Sequence, residues 1–106
     1  MTSIFENSAA ATRYDKTSPY QPIMRRNGKL FAAGFRDPAQ PDDVAETILA
    51  AITSDEYRLR WPVGRDALGL FQGRRKISDE QWVAMGDDLS DQDYNQRFLD
   101  YFGIRL

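Results

Sequence analysis

The chain has 106 residues, 42% hydrophobic and 28% charged, and its 14 basic and 16 acidic residues leave a net charge of −2. That is one globular domain's worth of sequence, able to bury roughly 65% of its unfolded surface, and it excludes a wholly disordered chain. The charge balance does not favour nucleic acid as a partner.

Cysteine and histidine are both absent. These residues therefore build no disulfide, no thiolate or imidazole zinc site and no Ser-His-Asp triad. Lack of cysteine fits a cytoplasmic chain. No apolar run approaches the ~18 residues of a membrane span, so no membrane partner is expected. The opening MTSIFENSAA lacks the positive start and apolar stretch of a signal peptide.

Residues 1–18 are polar, with small residues at Ser8 to Ala11, and read as a loop or a weak helix. Ser18 and Pro19 suit the start of a helix, as N-cap and first position. Asn27-Gly28 is a turn or stop signal. The apolar cluster Leu30 to Phe35 is too short to assign by period, and Gly34 argues for a break.

The clearest helix covers about Asp42 to Thr53. Pro41 occupies its first position, and Asp42 and Asp43 fill the first turn, where the helix dipole favours anions. Val44, Ala45, Ile48, Leu49 and Ile52 form one apolar face. A strand is expected at about Tyr57 to Val63, with Leu59, Trp61 and Val63 alternating against Arg58, Arg60 and Pro62. Pro62 cannot donate to a ladder and favours a sheet edge.

Asp66 reads as the N-cap of a following helix, weakened by Gly69 and Gly73. Ser78 and Gln81 form a capping box. Ser90 and Asp93 open a last helix with Tyr94, Phe98, Tyr101 and Phe102 on one side, and Gly103 is its C-cap. The expected fold is thus an α/β fragment, mostly helical, with one principal strand at 57–63.

Catalytic patterns are missing. No Gly-rich phosphate turn and no G-x-S-x-G elbow occurs. Tyr14 has Lys16 two residues on, whereas an acid-base tyrosine of the reductase type needs its lysine one helical turn away to lower the phenol pKa. Asp87, Asp88, Asp91 and Asp93 lack the glycine and glutamate offsets of a calcium loop and read as helix-start carboxylates. Arg25-Arg26 and Arg74-Arg75 form no basic stripe and read as solvated residues.

Two linked segments resemble the C-terminal part of the short-chain dehydrogenase/reductase family. Gln40-Pro41-Asp42-Asp43-Val44-Ala45-Glu46-Thr47-Ile48 is similar to its x-x-P-x-x-V-A-x-x-I helix. Arg60-Trp61-Pro62-Val63-Gly64-Arg65-Asp66-Ala67 is similar to the R-x-x-V-G-x-D-A strand of one large branch. The resemblance implies that 57–63 is the last, edge strand of a parallel Rossmann-type sheet in a complete parent. It implies that residues 1–35 are a lid or substrate wall and that 36–106 are a C-terminal helix-strand-helices segment.

Thr2 would then match the threonine that meets the cofactor at the lid's start, and Ile4, Phe5 and Tyr14 are lid candidates for the substrate wall. The family's cofactor turn, its catalytic serine and its Tyr-x-x-x-Lys would lie N-terminal to residue 1. The resemblance therefore implies carbonyl–alcohol redox with NAD or NADP for a complete parent, and neither turnover nor cofactor binding by this chain alone. It implies a missing N-terminal half as partner. The alternative is a non-catalytic helical interaction module that self-associates or pairs its strand with another chain.

Overall fold

The structure, a computed structural model, describes Glu6 and residues 15–106. The elements that follow are α1 (Gln21–Arg36), α2 (Pro41–Thr53), α3 (Arg65–Lys76), α4 (Asp79–Val83), a 3-10 turn (Ala84–Gly86) and α5 (Asp91–Phe102). All regular structure among the described residues is helical, which overturns the expected α/β fragment with a strand at 57–63.

The physical reason lies in what a strand needs. Its N–H and C=O groups are satisfied by a neighbour's ladder, not by its own turns, and the described residues supply no neighbour. The segment instead closes local contacts. The Arg58 amide donates to the Glu56 carbonyl at 3.0 Å, and the Trp61 indole N–H donates to the Arg58 carbonyl, also at 3.0 Å. The alternation does not produce one buried face either, since Leu59 is 86% exposed.

The core is small. Met85, Phe98 and Phe102 are its buried residues, with Leu30, Leu70, Ile77, Tyr94 and Ile104 packed around them. Phe98 and Phe102 lie one turn apart on α5, with ring centroids 4.7 Å apart. Trp82 of α4 meets the Phe102 ring edge-on at 6.0 Å. These aromatics contribute to the tertiary hydrophobic stabilisation by removing large apolar areas from water.

α3 crosses α5 at close range through two glycines. A Cβ on Gly73 would lie 2.5 Å from Phe102 Cδ1, and one on Gly69 would lie 2.5 Å from the Phe102 carbonyl oxygen. Read from sequence, these glycines only weaken a helix. In the fold they let α3 approach the α5 backbone.

α1 runs unbroken through Asn27-Gly28 and Gly34, contrary to the stop and break expected there. Interior glycines cost about 1 kcal/mol each relative to alanine, and anchors along α1 offset that cost. Leu30 packs on the core. The Arg26 guanidinium donates to the Leu89 carbonyl at 2.7 Å and lies 4.4 Å from the Tyr94 ring centroid. Arg25 and Lys29 reach Asp91 at 3.3 and 3.4 Å.

Several local expectations hold. α2 starts with Pro41 and the acidic pair Asp42 and Asp43, and Asp43 closes a capping box on Gln40. Ser78 and Gln81 form the box that opens α4. Ser90 caps α5 by accepting from the Asp93 amide, and Gly103 ends it in the left-handed region at φ 67°. The cap of α3 differs. Gly64 holds the position at φ 92°, so Asp66 falls in the first turn instead of at the cap.

Candidate docking surface

α2 presents an apolar face that the rest of the fold leaves uncovered. Ile48, Leu49 and Ile52 are 55%, 62% and 77% exposed, and no residue of the helix is buried. An amphipathic helix gains its tertiary stability by burying that stripe. Here the stripe faces outward.

The exposure continues past the helix. Ser54 ends α2 in an extended conformation, and the chain runs through Tyr57 and Leu59, both exposed. The accessible surface of the 12.2 kDa chain is 8760 Å², against about 6,100 Å² for a compact monomer of that mass. The radius of gyration is 16.5 Å, against about 13 Å for a compact domain of this length. Exposed apolar side chains gathered on one helix face suit an interaction site.

Beside the extended segment lies a trough of about 1120 Å³ between residues 57–62 and α3. Its floor is Ala67, Leu70 and Phe71, and Trp61 and Pro62 form one wall. Arg58, Arg60, Arg74 and Arg75 line it, and no carboxylate among the described residues does. The Arg58 guanidinium stacks 4.2 Å from the Trp61 ring centroid while its Nε donates to the Arg60 carbonyl at 3.2 Å. Arg75 lies 5.4 Å from the Phe71 ring. Arg74 pairs with Asp79. Among the described residues, Arg58, Arg60 and Arg75 take part in no ion pair.

A second groove, of about 620 Å³, lies between α1, α4 and α5 and is mainly apolar. It is lined by Ile23 and Met24 of α1, Trp82 and Val83 of α4, and the core residues Met85 and Phe98. Arg26 also lines it, its guanidinium lying over the Tyr94 ring. Burial raises the Tyr94 phenol pKa above its usual value, and the Arg26 charge opposes that rise.

Of the four acidic residues expected at a helix start, Asp91 and Asp93 fall in the first turn of α5, whereas Asp87 and Asp88 lie in the bend before it. Asp91 lies in the first turn of α5 among Arg25, Arg26 and Lys29. The Arg25 hydrogen bond, reinforced by the Arg25 and Lys29 charges, holds its carboxyl below the usual range. Among the described residues no cluster of three or more acidic ligands is placed to hold a metal ion, and no helix is long and apolar enough to cross a membrane.

The glycine-capped start of α3 is not shaped for a pyrophosphate. A pyrophosphate needs a helix start whose free amides face it across a glycine turn. The glycine-capped start here is α3, and the Asp66 carboxylate occupies it, accepting from the Ala67 amide at 2.8 Å. A phosphate would meet that negative charge.

The four site residues named from sequence, Thr2, Ile4, Phe5 and Tyr14, lie outside the described residues. What the sequence reading missed is the trough. Arg58 and Arg60 were visible as the polar half of an alternation, and Arg74-Arg75 as a pair, but their convergence depends on how 57–62 folds back along α3. No family model, no curated protein and no solved structure matches the chain.

Proposed function

We propose that this chain is the C-terminal, substrate-facing portion of an NAD(P)-dependent oxidoreductase of the short-chain dehydrogenase/reductase type. In this role it is non-catalytic by itself. It docks through α2 and residues 54–63 onto the polypeptide that holds the cofactor. The observation that carries the reading is the uncovered face of α2 at Ile48, Leu49 and Ile52. It coincides with the stretch whose residues resemble that family, from Gln40 to Ala67.

Residues 1–35 then supply the lid and substrate wall, and the apolar groove beneath Ile23 and Met24 suits a nonpolar part of a carbonyl or alcohol substrate. NAD or NADP would supply the hydride from the partner polypeptide. The part of this chain is to cover apolar surface and exclude water from the reacting centre.

The test is complementation. A short-chain reductase truncated just before its matching helix is mixed with this chain, and nicotinamide oxidation is followed with a panel of carbonyl substrates. Activity restored by the chain, and lost with Ile48→Asp/Leu49→Asp, is the expected result. Turnover by the chain alone, or no restoration by any of several such halves, refutes the proposal.

The same exposed face favours a second reading, a module that docks on a second copy of itself. Light scattering coupled to size exclusion separates the two. A dimer disrupted by Ile48→Asp/Leu49→Asp supports self-association, and a monomer supports the oxidoreductase reading.

A further inference from the structure

We infer that the trough between residues 57–62 and α3 receives an extended, acidic segment of the partner polypeptide, with its carboxylates on Arg58, Arg60 and Arg75 and its apolar side chains on Phe71 and Trp61. This rests on the docking reading above and adds the chemistry of what docks.

Charge complementarity selects the occupant. Four guanidinium groups line one trough in a chain whose net charge is −2, and only Arg74 has a carboxylate partner among the described residues. Guanidinium is the group best matched to a planar carboxylate, through two parallel N–H···O bonds. The stacking of Arg58 on Trp61 holds its charge on the wall of the trough at little further entropic cost.

Shape points to a chain and not to a small molecule. The space is an open trough larger than the ~300–1,000 Å³ of ordinary ligand pockets. Its floor is apolar along Ala67, Leu70 and Phe71, as in the centre of a protein interface. The backbone beside it makes no ladder of its own. From Leu59 to Val63 no amide donates to the backbone of another described residue, so a segment lying alongside finds free donors. Nucleic acid fits less well. Asp55 and Glu56 adjoin Tyr57 and interrupt any longer basic track.

The test uses the full chain and a dye-labelled synthetic peptide alternating Glu or Asp with Leu or Val, followed by fluorescence anisotropy. The control peptide carries Gln and Asn in place of the acids. Binding of the acidic peptide at least about tenfold tighter than the control is expected, together with weakening as salt is added. Arg58→Glu/Arg60→Glu should lose at least about tenfold in affinity. Both side chains are exposed, so the fold is retained, and circular dichroism checks it. Arg75→Glu provides an independent second variant on α3.

Equal binding of the two peptides, no binding, or displacement of the peptide by pyrophosphate or a thymidine oligonucleotide as readily as by unlabelled peptide overturns the inference. Complementation that succeeds while peptide binding fails removes the acidic segment and leaves the docking reading. The reverse result removes the oxidoreductase reading.

Discussion

Replacing Gly73 with alanine sets two opposite effects against each other. Gly73 is the buried residue of α3 and sits in the helix interior. Alanine there should gain about 1 kcal/mol of helix propensity. Against that, the new Cβ would lie 2.5 Å from Phe102 Cδ1 and 3.0 Å from the Tyr101 carbonyl carbon, with the Tyr101 carbonyl oxygen also in the way. Restoring ordinary contact at 3.4 Å to the ring carbon requires a shift of about 0.9 Å. The obstacle includes α5 backbone, which cannot rotate aside as a side chain tip does. Moving α5 would loosen Phe98 and Phe102, two of the three buried hydrophobic residues among those described. Overpacking of this kind costs about 1–3 kcal/mol, and with so small a core the upper part of that range applies. The net expectation is a loss of about 1–2 kcal/mol, or a Tm lowered by about 4–16 °C. Gly28→Ala is the matched control, because its Cβ meets nothing within 4 Å. It should gain up to about 1 kcal/mol and raise Tm by a few degrees. Thermal unfolding followed by circular dichroism reads both. A Gly73→Ala variant stabilised as much as Gly28→Ala would refute the close crossing of α3 and α5.

Phe98→Ala removes the centre of the aromatic cluster and should cost about 3–5 kcal/mol, read as a shifted or lost urea transition. Ile48→Asp/Leu49→Asp changes exposed positions and should alter the chain's own stability by no more than about 0.5 kcal/mol, while abolishing partner engagement in the complementation assay. Ser78→Ala removes the acceptor of the Gln81 amide at 3.1 Å and should lower stability by about 1 kcal/mol in the same urea titration. Asp91 has a folded-state pKa below its unfolded one because of Arg25 and Lys29. Its stabilising contribution is therefore present above the unfolded value and is lost as pH falls below about 4. Asp91→Asn should lower stability at neutral pH and make the acid limb shallower, and added salt should shrink that difference.

Local chemistry was legible in the residues. The start of α2 rests on Pro41 and Asp43, that of α4 on Ser78 and Gln81, that of α5 on Ser90, and the end of α5 on Gly103. Each depends on partners within about four residues, so chain order alone brings them together. Three features depended on distant neighbours. Gly28 and Gly34 read as breaks, yet α1 continues because Arg26 and Leu30 are anchored to parts of the chain some sixty residues away. Gly69 and Gly73 read as weak helix and serve as the contact between α3 and α5. The stretch 57–63 has the alternation of a strand but takes no strand conformation, because ladder bonds come from a second segment and none of the described residues provides one. A sequence pattern states which faces are fit to be buried. Whether they are buried, and against what, is decided by the surfaces that reach them.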